Sequence, residues 1–337
     1  MFNFAIVGCG NMAHWHAQEL CKVPEVKVVA LVDPVTARTA EFRQKYFPEA
    51  VEFASMESLL ADGRAKLAAM VLVTPHALHW PHAKAALDRG LHVLTEKPMV
   101  TTSQHAYDLW RRVKATGKLL GITFQAPYTA EYGYLAELRD TGQMGKVQSI
   151  GGWVSQNWLK ATANTWRQQP EMAGGGMMFD TGAHLFNAVM WLMNDPVVEV
   201  ACFYDKCSSP VDISGVAIAR FQNGAIASFN IGGNCPPFGT EIQIQTDRML
   251  ILTDQYGGKL EIKGPDGKRI YPHVKQDLQA PGRGPTPHKN FVNALLGKEP
   301  LKAGVRYGAL LSALMDALYE SSDGRRIVRV EPVPTDI

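Results

Sequence analysis

The sequence predicts an α/β protein whose first third forms a parallel sheet covered by helices, followed by a region with a different sheet. Short apolar runs alternate with helical segments up to about residue 123, which is typical of parallel strands buried on both faces. Beyond residue 147, predicted strands follow one another with few helices between them. The length of 337 residues fits two domains.

The apolar runs and helical spacings give the elements in order. Strands are predicted at 2–7, 26–32, 68–73, 91–95 and 118–123, and helices at 11–20, 37–42, 81–89 and 103–116. After a helix at 127–141, the second region has predicted strands at 147–158, 197–206, 213–221, 225–232, 240–246, 249–253 and 259–263, and a helix at 177–193. A Pro/Gly-rich loop at 272–287 precedes helices at 287–297 and 303–322. Residues 240–246 alternate strictly, so one face of that strand is covered and the other meets solvent or a second subunit.

The composition is that of a folded protein, because 46% of the residues are hydrophobic and 20% are charged. It excludes disordered, collagen-like and disulfide-framework proteins. Lys and Arg number 34 and Asp and Glu number 32, which leaves a formal charge of +2. This balance gives no electrostatic reason to expect nucleic acid or an anionic membrane as a partner.

The cysteines and the N-terminus indicate a cytoplasmic protein. The five cysteines form no CxxC pair, which favours reduced thiols over disulfides or a zinc site. No apolar run reaches the ~18 residues that a membrane span needs. Residues 1–7 contain no basic residue and lead into a glycine turn, so they predict a strand and not a signal peptide.

A glycine turn between the first strand and the first helix predicts a dinucleotide site. Gly8 permits a tight turn, Gly10 lets the backbone approach a pyrophosphate, and Ala13 allows close packing of helix on strand. The N-terminus of the helix offers free N–H groups to phosphates. Asp33, at the end of the second strand, would accept ribose hydroxyls and repel a 2′-phosphate, which favours NAD, and Arg38 leaves NADP as an alternative. A structural turn without a ligand is the competing interpretation.

A lysine closes a buried strand in Glu96-Lys97-Pro98. Beside a bound nicotinamide, the ammonium of Lys97 would donate to a substrate oxygen, and partial desolvation would lower its pKa. The alternative interpretation is a surface lysine paired with Glu96.

A carboxylate and an imidazole share one face of a later predicted helix, because Asp180 and His184 are spaced i, i+4. Such a carboxylate fixes the tautomer of an imidazole that acts as general acid or base. The alternative is an ion pair at the helix surface. The glycines at 174–176 favour the functional interpretation, because they permit close approach of another group at the helix start.

The other histidines and the tryptophans give weaker indications. His76 and His79 follow Thr74-Pro75 at a strand end, which is compatible with a cofactor role. The histidines form no HExxH pattern, and we predict no metal site. Stacking on a sugar face competes with ordinary core packing for three tryptophans: Trp153, Trp158 and Trp166.

Together these residues resemble the Gfo/Idh/MocA family, the NAD(P)-dependent oxidoreductases related to glucose–fructose oxidoreductase, inositol dehydrogenase and the rhizopine catabolism protein. The resemblance spans nearly the whole chain, and Glu-Lys-Pro combined with the Asp-x-Gly-x-His helix is its most specific part. The matching motifs are Gly8-x-Gly10-x-Met12-Ala13-x-x-His16, Asp33, Thr74-Pro75-His76-x-x-His79, Glu96-Lys97-Pro98, Trp166-Arg167, Ala173-Gly174-Gly175-Gly176, Asp180-x-Gly182-x-His184, Phe291-Val292-x-Ala294-Leu295-x-Gly297 and Tyr319-x-Ser321.

The resemblance implies a Rossmann domain at 1–124 and a substrate-binding and oligomerisation domain at 125–337. The second domain would be built on a large, open, mostly antiparallel sheet, with the final helices able to pack back on the first. Members commonly form homodimers or homotetramers through that sheet and oxidise or reduce a sugar, cyclitol or related polyol. The residues implied at the cofactor are Gly8, Gly10, Asn11, Met12, Asp33, Arg38, Thr74, Pro75, His76, His79, Glu96, Lys97, Gln125, Trp166 and Arg167. Those implied at the substrate are Lys97, Trp153, Arg167, Asp180 and His184.

We therefore predict reversible hydride transfer between the nicotinamide and a secondary alcohol, with Lys97, Asp180 and His184 as catalytic residues. His184 would take the hydroxyl proton, Asp180 would orient the imidazole, and Lys97 would meet His184 at the same oxygen. An NAD-dependent glycoside hydrolase acting by transient oxidation and a catalytically idle NAD-binding sensor are the alternatives. Three departures from the family pattern leave the substrate unnamed: His76 for an asparagine, Asn187 for an aspartate, and no arginine in 121–127.

Overall fold

A computed structural model describes residues 1–63, 66–269 and 286–337. The described chain forms two compact units. Unit 1 contains Met1–Thr123, Thr286–Gly308 and Pro334–Ile337, and unit 2 contains the described residues of Phe124–Pro285 and Ala309–Val333. The loop predicted at 272–287 lies, apart from its last two residues, outside the described residues.

Unit 1 is built on a parallel sheet of six described strands in the order β3-β2-β1-β4-β5-β6. The strands are β1 (Phe2–Val7), β2 (Val26–Val32), β3 (Val51–Phe53), β4 (Ala69–Leu72), β5 (His92–Thr95) and β6 (Leu120–Ile122). Five of them confirm the predicted apolar runs. β3 escapes the pattern because it has only three residues, one of them Glu52. The strand order reverses between β1 and β4, and sheets of this kind bind ligands at the carboxyl ends of the strands there.

The helices described in unit 1 are Asn11–Cys21, Thr36–Lys45, Met56–Asp62, His79–Asp88, Ser103–Thr116 and Pro287–Leu295. Thr102 caps the fifth by accepting the N–H of His105, and Gly117, with φ +65°, ends it as predicted. The last helix comes from a part of the chain that the sequence groups with the second domain. It lies in the core of unit 1, because Phe291 packs edge-on against Phe4 with ring centroids 6.1 Å apart.

Unit 2 is built on a mixed sheet of eight described strands in the order β13-β12-β11-β7-β10-β9-β8-β14. The strands are β7 (Val147–Ser155), β8 (Val197–Asp205), β9 (Ser214–Phe221), β10 (Ile226–Gly232), β11 (Gly239–Thr246), β12 (Leu250–Thr253), β13 (Leu260–Lys263) and β14 (Val328–Arg329). Neighbours are antiparallel except β7 with β10. This confirms the large, mostly antiparallel sheet.

One face of this sheet is covered by a helix and the other is open, as the alternation in 240–246 predicts. In β11, Ile244 is buried whereas Gln245 is exposed. Helix Gly182–Met193 lies on the covered face, where Gly152 of β7 leaves room for Leu185.

The other helices described in unit 2 are Ala130–Asp140, Trp158–Ala161, Pro170–Ala173, Met177–Asp180 and, from residue 309 on, Val305–Gly324. Across the described ranges, no helix is both long and apolar enough to span a bilayer.

Candidate functional site

The turn after β1 requires glycine at its first position. Gly8 has φ +94°, and a Cβ there would lie 2.6 Å from the carbonyl oxygen of Val73. At Gly10, a Cβ would meet no atom of the described residues within 4 Å, so the turn faces open space on that side. Ala13 is fully buried in the core of the unit. The turn therefore has the shape expected of a loop that a pyrophosphate can approach.

Asp33 holds this turn in place. Its carboxylate accepts the backbone N–H groups of Cys9 and Val35, both at 2.9 Å, although it is only 4% exposed. Nη1 of Arg38 lies 3.7 Å from Oδ1 of Asp33. Each carboxylate oxygen keeps a further lone pair, so accepting a ribose hydroxyl is compatible with these bonds. Asp33 thus has a structural role besides the one predicted for it.

The helix Asn11–Cys21 begins at this turn, and the described residues place no side-chain cap on its first N–H groups. Asn11 and Met12 are exposed in its first turn. Uncapped N–H groups and the positive end of the helix dipole suit an anionic group. The residues present therefore fit the phosphates of a dinucleotide.

His79 ties the segments after β4 and β5 together. Its ring is fully buried, and its two nitrogens lie 2.8 Å from the carbonyl oxygens of Pro98 and Thr74. Burial lowers the pKa of His79. Because both ring nitrogens face main-chain carbonyl oxygens, neither is available to contact the cofactor. An effect of His79 on the cofactor would therefore act through the position of Thr74. His76 is buried beside it, with ring centroids 5.8 Å apart.

Glu96 is the centre of a buried network at the end of β5. Its Oε1 lies 2.8 Å from Nε2 of His16 and accepts the hydroxyl of Thr123 at 2.9 Å, while its Oε2 accepts the backbone N–H of Lys97 at 3.1 Å. Burial raises the pKa of this carboxyl, but the hydrogen bond from His16, the charge of Lys97 and the hydrogen bond from Thr123 outweigh it and lower the pKa. At 8% exposure, Glu96 is not the surface partner that the alternative interpretation of Lys97 requires.

In unit 2, a buried aspartate without a local sequence signal holds the glycine run. Oδ1 of Asp212 accepts the N–H of Gly176 at 2.6 Å, and Oδ2 accepts the N–H of Met178 at 2.8 Å. The hydroxyl of Tyr319 donates a third bond to Oδ1 at 2.6 Å. A Cβ at Gly176 would overlap the main chain of Asp212, and one at Gly175 would overlap the Tyr319 hydroxyl. Asp212 and Tyr319 are therefore the groups that approach the backbone closely because residues 175 and 176 are glycines.

Asp180 ends the helix that follows the glycine run. It is buried, and its Oδ2 accepts the indole N–H of Trp158 at 2.9 Å and the Nε–H of Arg167 at 3.1 Å. The guanidinium of Arg167 also lies over the ring of Trp166, 4.5 Å from its centroid. The structure thus brings together Asp180, Trp166 and Arg167, which the sequence predicts at the site. Trp158 joins them as a buried residue whose indole N–H donates to Asp180.

Asp180 and His184 stay one helical turn apart, although the predicted helix consists of two pieces. Met177–Asp180 and Gly182–Met193 are separated by Thr181, whose φ of −79° and ψ of −36° keep the right-handed helical backbone. The i, i+4 relationship is therefore preserved. Because Asp180 is only 6% exposed, an ion pair at the helix surface does not describe this arrangement.

His184 is half-buried among aromatic side chains. Phe124 lies edge-on to the imidazole with centroids 6.0 Å apart, and Tyr256 lies 5.1 Å away at 61°. The ring of Tyr256 stacks at 6.1 Å on the exposed ring of Phe238. Burial raises the pKa of the Tyr256 hydroxyl, so the phenol is neutral. One turn after His184, Nδ2 of the buried Asn187 has no hydrogen-bond partner in the described part of the chain.

Trp153 lies on the open face of the sheet in unit 2. Side chains alternate along β7, so Trp153 points away from the face of Gly152, which Leu185 covers. The predicted contact between Trp153 and the substrate is therefore corrected. Trp153 lies on the face of the sheet opposite to the helix that carries His184, and we no longer assign it to the substrate site. Gln125 is exposed at the start of unit 2.

Several supporting residues escape prediction because no local pattern marks them. Asp212 lies 36 residues from Gly176, and Tyr256 lies in a turn after β12. Tyr319 carries a sequence signal, as part of the family-like C-terminal motif, but that motif does not indicate its partner. Across the described ranges, no group of three metal-ligating side chains is placed to hold an ion.

Two family models match the chain. Residues 2–124 match the oxidoreductase family with an NAD-binding Rossmann fold, and residues 132–251 match the GFO/IDH/MocA C-terminal domain. The chain is 23% identical to the D-glucoside 3-dehydrogenase of Escherichia coli (strain K12), with 96% of each chain covered. It is 27% identical to the dTDP-3,4-didehydro-2,6-dideoxy-alpha-D-glucose 3-reductase of Streptomyces antibioticus, over 79% of this chain and 82% of that protein.

A solved structure gives the same result for the fold. The WlbA dehydrogenase from Bordetella pertussis, crystallised with NADH and UDP-GlcNAcA, has a TM-score of 0.84 at 23% identity, with 98% of each chain covered. Both domain models of one family therefore match in chain order, on a fold that this dehydrogenase of known structure shares. The chain belongs to the Gfo/Idh/MocA family of oxidoreductases and carries an NAD-binding Rossmann domain at its N-terminus.

Proposed function

We propose that this protein transfers a hydride between NAD and a secondary alcohol or ketone of a sugar, cyclitol or related polyol. One observation carries the proposal. Asp180, a buried carboxylate bonded to Trp158 and Arg167, stands one helical turn before the half-buried imidazole of His184. A fixed carboxylate close to an accessible imidazole is suited to moving a proton to and from a substrate hydroxyl.

NAD supplies the hydride acceptor or donor when bound, and the residues of unit 1 fit it. Gly10 leaves room for a pyrophosphate, and the uncapped helix that begins at Asn11 offers it N–H groups. The Asp33 carboxylate favours NAD over NADP, because it accepts ribose hydroxyls and repels a 2′-phosphate. Arg38 already lies close to Asp33, which weakens its case as a partner of that phosphate.

His184 takes the proton of the substrate hydroxyl during oxidation and returns it during reduction. Asp180 stabilises the charged imidazole, and Trp158 and Arg167 hold the carboxylate so that it need not reorient. Acid–base help of this kind contributes about 10²–10⁴ in rate. The rings of Phe124 and Tyr256 limit the access of water to the imidazole.

Lys97 donates a hydrogen bond to the substrate oxygen as that oxygen becomes a carbonyl. Its main chain is held by Glu96, which accepts its backbone N–H. Lys97→Ala should therefore reduce turnover sharply with little change in the Kd for NAD, whereas Lys84→Ala, at a surface ion pair, should change neither. A rise in the Kd for NAD as the sole effect would make Lys97 a cofactor contact.

The proposed substrate class is supported by the surroundings of His184 and by the relatives. Tyr256 and Phe238 present flat apolar rings of the kind that stack on sugars, and Asn187 has an N–H to donate. The relatives from Escherichia coli and Streptomyces antibioticus are named for action on a D-glucoside and on a deoxyglucose nucleotide.

A substrate screen tests the proposal. Sugars, glycosides and cyclitols are incubated with the protein and with NAD or NADP, and the NADH absorbance is followed. We expect net NADH formation with at least one polyol, faster with NAD than with NADP. Glycoside cleavage without net NADH would favour the hydrolase alternative, and NAD binding without turnover of any compound would favour the sensor.

We also propose that the protein assembles with itself through the open face of the sheet. Phe203, Val216 and Ile218 are all at least half exposed there, and Phe203 is paired with Val216 across β8 and β9. An exposed apolar patch of this kind marks an interaction surface. Phe203→Glu should lower the mass measured by light scattering, whereas Val51→Glu, at an exposed apolar residue of unit 1, should not. An unchanged mass for Phe203→Glu would contradict this assignment.

A further inference from the structure

A row of buried hydrogen bonds crosses unit 1 from the end of β5 to the helix Pro287–Leu295. Glu96 Oε1 lies 2.8 Å from Nε2 of His16, and Nδ1 of His16 lies 2.8 Å from Nε2 of His288. Both imidazoles are fully buried. At the far end, Nδ1 of His288 has no hydrogen-bond partner among the described residues. We call these three residues the Glu96–His16–His288 chain.

The carboxylate at one end determines where the hydrogens lie. An ionised carboxylate can only accept, so Nε2 of His16 must carry a hydrogen. In neutral His16 the other nitrogen, Nδ1, is then an acceptor, and Nε2 of His288 must donate to it. This leaves Nδ1 of His288 as a bare acceptor.

The opposite arrangement is less favourable. A charged His16 would donate from both nitrogens, so His288 would accept at Nε2 and carry its hydrogen at Nδ1. That N–H would then be buried without an acceptor, and buried unpaired N–H groups are rarer in native proteins than unpaired acceptors. Burial also lowers the pKa of His288 well below its usual value, which keeps that ring neutral in either case.

The ring orientations are fixed by packing. The indole of Trp15 lies edge-on to both imidazoles, with centroids 5.0 Å from each. At the other end, the Thr123 hydroxyl donates to the same Glu96 oxygen as His16. Glu96 therefore has little freedom to rotate, and its second oxygen stays in place to accept the backbone N–H of Lys97.

We propose that His16 and His288 are positioning residues, each neutral with its hydrogen on Nε2, and that they fix Glu96 and through it the main chain at Lys97. The consequence for turnover rests on the proposed function, in which Lys97 contacts the substrate. The placement of the hydrogens on His16 and His288 is independent of the proposed function. His288, in the segment Thr286–Gly308, thereby has a role at the end of β5, although the two parts of the chain are far apart in the sequence.

Nitrogen NMR of the full-length protein, with ¹⁵N-labelled histidine and without cofactor, tests the hydrogen positions. We expect both residues to show a protonated Nε2 and a bare Nδ1, with a scalar coupling between Nε2 of His288 and Nδ1 of His16 across the bond. A doubly protonated His16, or a hydrogen on Nδ1 of His288, would overturn the proposal. This measurement is independent of any substrate, so it stands even if the proposed function fails.

Two variants test the positioning role. His288→Leu removes the donor, whereas His288→Gln places an amide N–H near the position of Nε2. For His288→Leu we expect kcat to fall about tenfold with the Kd for NADH changed less than about twofold, and for His288→Gln a kcat within about threefold of the parent. His92→Leu is the control: His92 accepts the N–H of Leu119 in the same unit, and its loss should leave kcat unchanged.

The proposal is wrong if the Leu and Gln variants at 288 lose kcat equally, or if His288→Leu keeps full kcat. Equal loss in His92→Leu and His288→Leu would indicate general destabilisation and would likewise overturn the positioning role. Should His288→Leu fail to fold, the NMR result for the unmodified protein decides the hydrogen positions, and the kcat of His288→Gln decides the positioning role, which a large loss of kcat in that variant would overturn.

Discussion

The hydroxyl of Tyr319 donates a 2.6 Å hydrogen bond to Oδ1 of Asp212, and this bond joins a C-terminal helix to the start of the helix that carries Asp180. The Asp212 carboxylate is buried, and burial raises its pKa. Its remaining bonds go to the N–H groups of Gly176 and Met178, so the carboxylate fixes the backbone where the site helix begins.

Tyr319→Phe should destabilise the protein by about 1–2 kcal/mol, because a buried carboxylate loses one of its hydrogen bonds. It should also lower kcat, since the backbone before Asp180 gains freedom. Denaturant unfolding followed by circular dichroism measures the first effect. Tyr204→Phe, which removes a bond to Asp323 in an exposed setting, is the control and should cost less than about 0.5 kcal/mol. Equal losses in the two variants would contradict the special role of Asp212.

Gly176→Ala should be far more harmful than an ordinary glycine substitution. Its Cβ would overlap the main chain of Asp212, which cannot move without breaking the bonds to Gly176 and Met178. We expect little soluble folded protein. Gly133→Ala, in helix Ala130–Asp140 where a Cβ meets nothing described within 4 Å, should instead stabilise by up to about 1 kcal/mol. A well-folded, active Gly176→Ala variant would disprove the close approach.

Asp33→Ala should raise the Kd for NAD more than the Kd for NADP. Both affinities should fall, because the N–H groups of Cys9 and Val35 lose their acceptor and the turn loosens. Only NAD binding loses the ribose contact as well, while NADP binding gains from the removal of a repelling charge. Fluorescence titration should show the ratio of the two Kd values moving about tenfold or more towards NADP. Equal loss for both would contradict the assignment of Asp33.

Glu96 should make the free energy of unfolding depend on pH in the acid range. Its pKa is lowered below 4.5 in the folded protein, so its contribution is present above pH 4.5 and is lost as the pH falls through the folded pKa. Thermal unfolding at a series of pH values measures this, and Glu96→Gln should flatten the curve in that window. Glu320→Gln, at an exposed pair with Arg326, should leave it unchanged. An unaltered curve for Glu96→Gln would refute the lowered pKa.

Much of the fold follows from local patterns in the sequence. Each buried strand of unit 1 except β3 is an apolar run bounded by turn residues, and the glycine turn with Asp33 has a fixed spacing. β3 and β14, with three and two residues, are too short to form a pattern. The pairing of β7 with β10 depends on tertiary contacts that no single stretch of sequence encodes.

The residues of the site likewise include some that local sequence patterns predict and some that they do not. The sequence can place Asp180 and His184 one turn apart, because helical spacing is local. It cannot place Trp158 against Asp180, or His288 against His16 over a separation of 272 residues, because such bonds form only when the chain packs. Trp153 is instructive, since composition suits it to a sugar face but strand alternation turns it to the other side.

We propose that the imidazole of His184 moves the proton of the substrate hydroxyl. The most direct measurement compares His184→Ala with the parent protein in two assays: NADH binding by fluorescence, and NADH formation with the best substrate of the screen. We expect an unchanged Kd for NADH and a loss of turnover of about a hundredfold or more. Turnover equal to that of the parent, with NADH bound as before, would contradict it.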